Sequence, residues 1–393
     1  MIATRTHARL NGFGDSVFTR MSALARQYDA VNLGQGFPDF PGPDFVKDAA
    51  KQAIDADLNQ YAVSSGAPRL KQQVAIDASR ALGREIDPMR EVVVTNGATE
   101  AIFEAILAFS GPGDEVVVFE PFYDSYPASV QMAGSTFVPV RLNPPDWSFE
   151  LDALREAITP RARLLLLNTP HNPTGKVFTR EELEQIAALA IERDLLVVTD
   201  EVYDKIVFAP SEHISLASLP GMWERTITVN STGKTFSLTG WKIGYAIGPA
   251  VLVGAIQSAH QFITFASGTP FQDALATAME LSRSNGYYDQ LVRDYTHRRN
   301  LLESALAGAE LSTLPIGGSY FLMADISGLG FETDVAFCEW LVESIGVAAV
   351  PPSAFYHDPS TAPLLARFCF AKSDTTIAAA AERLRNIGAV EPQ

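Results

Sequence analysis

The sequence predicts an α/β protein: a large domain with a mostly parallel, seven-stranded sheet between helices, joined to a smaller α/β domain. Runs such as residues 164–167 (LLLL) and 195–198 (LLVV) are strand-length and apolar throughout, as strands covered on both faces are. Segments of helical period separate them, the alternation expected of parallel strands joined by crossovers. After Gly286 a second, shorter series of the same alternation begins.

In chain order, the residues before 44 are irregular, punctuated by Gly12, Gly14, Gly34, Gly36, Pro38, Pro41, Gly42 and Pro43, with one helix over 17–28. Helices follow over 43–56 and 68–82, the second with Leu70, Val74 and Ala78 on one face. Residues 91–95 read as a buried strand, 96–99 as a cap and 100–109 as a helix with Ile102, Phe103, Ile106 and Leu107 inward. Strands are predicted over 115–119, 135–140, 163–167, 195–199, 225–229 and 243–247, with helices over 124–133, 151–158 and 180–193. Helices over 251–262 and 287–307 lead to strands over 319–326, 346–350 and 365–370, alternating with helices over 334–344 and 375–387. The implied division is an N-terminal arm (1–45) joining the small domain, a large domain (46–286) and a small C-terminal domain (287–393).

Composition narrows the function. The 393 residues are 47% apolar, enough for a large core. With 46 acidic and 30 basic residues the net charge is −16, which disfavours nucleic acid and anionic membranes as partners. No apolar run is membrane-length, and residues 1–10 lack the apolar core of a signal peptide, so a cytoplasmic protein is expected. Cys338 and Cys369 are too isolated for a disulfide ladder or a metal cluster and read as buried thiols; no metal is expected.

The informative pattern is the polar residue that ends each apolar run. Asn168 and residues 170–175 (PHNPTG) follow one strand, Asp200 the next, and Lys234 lies just past residues 226–229. Each alone is an ordinary turn, cap or solvated lysine. Together, at one edge of a parallel sheet, they can converge where open α/β sheets bind ligands. A lysine amine of lowered pKa can form a Schiff base. The amides of Gly97, Ala98 and Thr99 at a helix start, with Ser231 and Lys242, suit a phosphate.

Seven ordered blocks then carry a resemblance: residues 31–40 (VNLGQGFPDF), 59–61 (NQY), 120–126 (EPFYDSY), 168–178 (NTPHNPTGKVF), 200–203 (DEVY), 233–244 (GKTFSLTGWKIG), and 354–356 (AFY) with 367–370 (RFCF). Over nearly its full length the chain resembles the fold type I, pyridoxal-phosphate-dependent aminotransferases of class I. Within them it is most similar to the kynurenine and glutamine transaminase branch and the bacterial methionine and N-succinyl-diaminopimelate aminotransferases.

The resemblance implies that Lys234 carries pyridoxal 5′-phosphate as a Schiff base and shuttles the proton. Asp200 would pair with the ring nitrogen, Asn172 and Tyr203 would meet the 3-oxygen, and Phe122 would stack on the ring. Gly97, Ala98, Thr99, Ser231 and Lys242 would hold the phosphate, with Tyr61 reaching that of a neighbouring subunit in a homodimer. Arg367 and the Gly36 amide would take the substrate's α-carboxylate. Phe18, at a position where animal kynurenine transaminases carry Trp, would line the side-chain pocket. Phe18, Tyr123, Tyr126 and Phe355 suggest an aromatic, apolar pocket for methionine, glutamine or aromatic donors; the sequence displays no evident cation for a distal carboxylate. The activity the resemblance implies is ping-pong transfer from an L-amino acid, a methionine, glutamine, aromatic or kynurenine-type donor, to a 2-oxo acid. The alternatives are an N-succinyl-diaminopimelate donor, β-elimination from cysteine conjugates on the same cofactor, and a non-catalytic cofactor-sensing regulator. That last class would add an N-terminal DNA-binding helical domain, which the residues before the first shared helix do not suggest.

Overall fold

The structure is a computed structural model that describes residues 7–10, 12–14 and 16–389. The expectations for residues 1–6 and 390–393 lie outside it. Near the N-terminus, α1 (Val17–Gln27) starts at Ser16, whose hydroxyl accepts the Thr19 amide, and is followed by β1 (Val31–Asn32). Next come α2 (Asp44–Asp55) and α3 (Pro68–Leu82); Pro68 opens α3 and the left-handed Gly83 closes it, so sequence and structure agree on both ends.

Alternation then sets in with β2 (Val92–Thr95), α4 (Ala98–Phe109), β3 (Glu115–Glu120), α5 (Ser125–Ala133), β4 (Thr136–Arg141) and α6 (Leu151–Ala157). It continues with β5 (Ala162–Asn168), α7 (Arg180–Glu192), β6 (Leu196–Asp200), β7 (Thr226–Ser231), the short α8 (Thr232–Thr235) and β8 (Gly244–Ile247). The seven strands β2 to β8 form one sheet in the order β2-β8-β7-β6-β5-β3-β4. Strands β3 to β7 run parallel, while β8 is antiparallel to both β2 and β7. Two apolar cores flank the sheet, one around Leu165, Leu183 and Ile186, the other around Ile102, Val130 and Ile256.

After α9 (Ala250–Ile263) the chain forms α10 (Thr269–Ser282), a helix that the sequence does not predict above. Its signal is Pro270 in the first turn of a run rich in alanine and leucine. Buried Gln272 fastens it, accepting the Ala67 amide at 2.7 Å and donating to the Ser267 carbonyl at 2.8 Å. The rest comprises α11 (Tyr287–Ala307), β9 (Phe321–Asp325), α12 (Asp334–Trp340), β10 (Val347–Ala348), β11 (Leu365–Cys369) and α13 (Asp374–Leu384). The helix expected over 334–344 is α12 followed by a wider turn, Leu341–Ile345, that ends at the left-handed Gly346. Met21, Ala25 and Leu33 share one core with Leu302, Phe337, Val347 and Leu384, and β1 pairs with β10. Cys338 and Cys369 are free and buried. No helix among the described residues is long and apolar enough to cross a membrane.

Candidate active site

Register brings the strand-end residues together. Asn168 on β5 stands opposite Asp200 on β6, and Asp200 opposite Val229 on β7. Beyond that edge lies a cavity of about 480 Å³ whose wall includes Asn168, Asn172, Asp200, Tyr203, Lys234 and Arg367. The strand ends are tied to each other: the Asn168 side-chain amide donates to the Asp200 carbonyl at 2.8 Å, and its Oδ1 accepts the Asn172 backbone amide at 2.7 Å.

Lys234 sits in α8, which begins directly at the end of β7; the hydroxyl of Ser231 caps it by accepting the Gly233 amide at 3.1 Å. The Lys234 amine lies 2.8 Å from the Tyr320 hydroxyl and 3.5 Å from the Gly36 carbonyl. Tyr320 spends its one hydrogen on that same carbonyl, at 2.7 Å, so it accepts from Lys234. Burial lowers the lysine to about 8, and Lys242 and Arg367 add repulsion against the opposing pull of Asp200. Burial also raises the Asp200 carboxyl to about 6, and the Tyr126 hydroxyl at 2.7 Å and the Val202 amide at 3.3 Å restrain that rise. The pair therefore offers a nucleophilic amine and a carboxylate seeking a cation.

A second cluster forms an anion cradle. Gly97, with φ of +80°, turns the chain into α4, and the amides of Ala98 and Thr99 open the helix without backbone acceptors among the described residues. A Cβ on Gly97 would come within 3.0 Å of the Lys242 Nζ, and one on Gly244 within 2.5 Å of the Gly97 carbonyl carbon. Glycine at both positions lets strand, helix start and ammonium crowd one point. Ser231, Gly233 and Thr239 complete this end of the cavity.

At the opposite side Arg367, on β11, is fully buried. It donates to Asn172 Oδ1 at 2.9 Å and to the Gly34 carbonyl at 3.1 Å, its Nε has no partner, and its guanidinium carbon lies 4.2 Å from the Phe321 ring centroid. Among the described residues no carboxylate is ion-paired with it, and the carboxylate attraction it does feel, from Asp124, is longer-range, so it is suited to bind an anion. Gly36 lines the cavity beside it; the loop is shaped by Asn32, whose Oδ1 accepts the Gly34 and Gln35 amides.

Most of the predicted residues thus meet: Gly36, Gly97, Ala98, Thr99, Asn172, Asp200, Tyr203, Ser231, Lys234, Lys242, Arg367 and Phe18 all line one cavity. Phe122 does not. It packs edge-on against Phe137 in the core and its amide bonds to Phe355, so the ring facing the cavity at this turn is that of Tyr123. Tyr61 lies away from this cavity, 84% exposed, with its ring edge-on to Phe265. Tyr126, expected in an aromatic pocket, gives its hydroxyl to Asp200, while Phe355 is buried behind Phe18. The sequence does not reveal the Tyr320 and Tyr126 contacts, nor that Arg26 faces the cavity from α1.

Comparison with known proteins identifies the family. The family model for aminotransferase class I and II matches residues 28–384. The chain belongs to that family and is a pyridoxal-phosphate-dependent aminotransferase of fold type I. It is similar to N-succinyldiaminopimelate aminotransferase from Mycobacterium tuberculosis, 44% identical with a TM-score of 0.93, covering 97% of this chain and 100% of that one. It is likewise similar to the Escherichia coli methionine aminotransferase structure, 38% identical with a TM-score of 0.93, covering 97% and 99%. Human kynurenine–oxoglutarate transaminase 1 is 39% identical over 408 residues, covering 96% of this chain and 97% of that one. The residues present fit the cofactor: the cradle could take a phosphate, Asp200 a ring cation and Lys234 an aldehyde carbon.

Proposed function

We propose that this protein moves the amino group of an L-amino acid to a 2-oxo acid, with methionine, glutamine and aromatic amino acids as donors. The observation that carries this reading is the juxtaposition of a lysine lowered to about 8, a buried carboxyl and a buried arginine without a carboxylate partner around one cavity. Bound there, the cofactor would supply an electron-poor ring that withdraws charge from the substrate Cα as its proton is lost.

The chain's own residues supply the rest. Arg367 orients the α-carboxylate with the Gly36 amide, which finds no protein acceptor among the described residues. Asn172 accepts from the Arg367 guanidinium and, with Tyr203, would hold the ring's 3-oxygen. Lys234, once displaced, moves a proton to and from Cα, with Tyr320 and the Gly36 carbonyl as its resting acceptors. Asp200 keeps the ring nitrogen protonated, and Tyr123 offers the aromatic face at the cavity wall. Gly97, Ala98, Thr99, Ser231 and Lys242 anchor the phosphate.

The protein acts in the cytoplasm as a homodimer with shared sites. Support for the homodimer is the exposure of Tyr61 (84%), whose ring lies edge-on to Phe265, and of Val63 (59%) and Phe262 (89%). The small domain comprises the arm (1–45) and residues 287–393, a division supported by the core that their described residues share. Purified protein assayed with a panel of L-amino acids and 2-oxo acids tests the reading. Amino transfer from methionine, glutamine or an aromatic donor is expected, and no transfer from any donor would contradict it.

A further inference from the structure

The cavity wall carries four cationic side chains, Arg26, Lys234, Lys242 and Arg367, against one acidic side chain, Asp200. In a chain of net charge −16 this is a local inversion of the field. Under the reading above, three of the four are already engaged, Lys242 by the phosphate, Arg367 by the α-carboxylate and Lys234 by the reacting carbon. Arg26 is not.

Arg26 lies in the last turn of α1, in line with Phe18 and Ser22 at four-residue spacing and with Thr19, and all four line the cavity. Among the described residues its guanidinium makes no ion pair or hydrogen bond. Arg20 on the same helix, outside the lining, is paired with Glu339. A cation in a last turn also suits the helix dipole, but the dipole does not require it to face the cavity. Gln35 donates to Ser22 Oγ at 2.8 Å, which joins the α1 wall to the Gly36 loop beside Arg367. One rim therefore bears a buried cation at one point and a free, solvent-reaching cation at another.

We propose that Arg26 is a specificity-determining residue that binds the second carboxylate of a dicarboxylic amino donor or oxo-acid acceptor whose α-carboxylate is held by Arg367. The inference rests on the aminotransferase reading. It also supplies the cation that the sequence alone does not reveal.

Two measurements on the cofactor-loaded protein test it. Calorimetric binding of glutarate and of butyrate compares two carboxylates with one, in the wild type, Arg26→Gln and Arg26→Lys. The wild type is expected to bind glutarate about tenfold or more tightly than butyrate, the ratio to collapse in Arg26→Gln, and Arg26→Lys to keep part of it. Kinetically, the ratio of kcat/KM for L-2-aminoadipate over L-methionine should fall about tenfold in Arg26→Gln, mainly through KM. A wild type indifferent to the second carboxylate, or a preference that survives Arg26→Gln, overturns the proposal. Glutarate preference that depends on Arg26 in a protein that turns over no donor would leave the subsite standing and remove the aminotransferase reading.

Discussion

The hydroxyl of Tyr126 donates to Asp200 Oδ2 at 2.7 Å in a wall where both side chains are buried. That bond favours the charged carboxylate, against a burial cost that pushes the group up to about 6. Above that pH Asp200 is the anion a ring cation needs, and as pH falls through it the pairing is lost. Tyr126→Phe removes a stabilising donor, so the midpoint moves to higher pH. Fluorescence titration of the apoprotein with pyridoxal phosphate between about pH 5 and 8 should show binding weakened about three- to tenfold near pH 6 relative to wild type. A midpoint that stays or moves down contradicts the assignment.

Lys234 makes the opposite excursion, from its ordinary 10.5 down to about 8. The rate at which apoprotein captures free pyridoxal, which has no phosphate to engage the cradle, should rise about tenfold per pH unit below 8 and level off above it. Lys242→Gln removes a repelling neighbour and should move the break upward. The same shift adds a stability trend. Between about 8 and 10.5 the unfolded chain holds a proton that the folded one has released, so this group's contribution rises with pH there. Stopped-flow absorbance locates the break, and a wild-type break near 10.5 would contradict the lowered value.

Gly244 tests the anion cradle. A Cβ there would lie 2.5 Å from the Gly97 carbonyl carbon and 2.6 Å from the Ala98 nitrogen, both backbone atoms that cannot swing aside. Gly244→Ala should cost about 1–3 kcal/mol of stability and weaken cofactor binding about tenfold or more. Gly240, nearby in sequence, has nothing within 4 Å of its built Cβ, so Gly240→Ala should stay within about 1 kcal/mol in both respects. Thermal denaturation and cofactor titration of the two variants check this; equal effects would contradict it.

Much of the fold is legible because local signals mark it. The apolar runs of β5 and β6 stop at Asn168 and Asp200, and α3 carries its own start and stop residues. Strand direction is not written in an apolar run, so the antiparallel β8 could not be read. The site's backbone-defined members, the cradle and the strand-end polar groups, follow from the same local logic. Its cross-chain contacts do not: Tyr126 meets Asp200 across 74 positions and Tyr320 meets Lys234 across 86. Phe122 and Tyr123 are adjacent aromatics whose sides are decided by a single step of the turn after β3. Arg26 looks, in sequence, like any solvated cation on a helix, and only the packing of α1 on the cavity distinguishes it.

Everything proposed for the site depends on Lys234 being the residue that binds the cofactor covalently. Borohydride reduction of the loaded protein, followed by proteolysis and mass spectrometry, measures this without intermediary. A pyridoxyl-phosphate adduct on Lys234 is expected, and its loss, together with loss of amino transfer, in Lys234→Ala. An adduct on another lysine, or amino transfer undiminished in that variant, would contradict it.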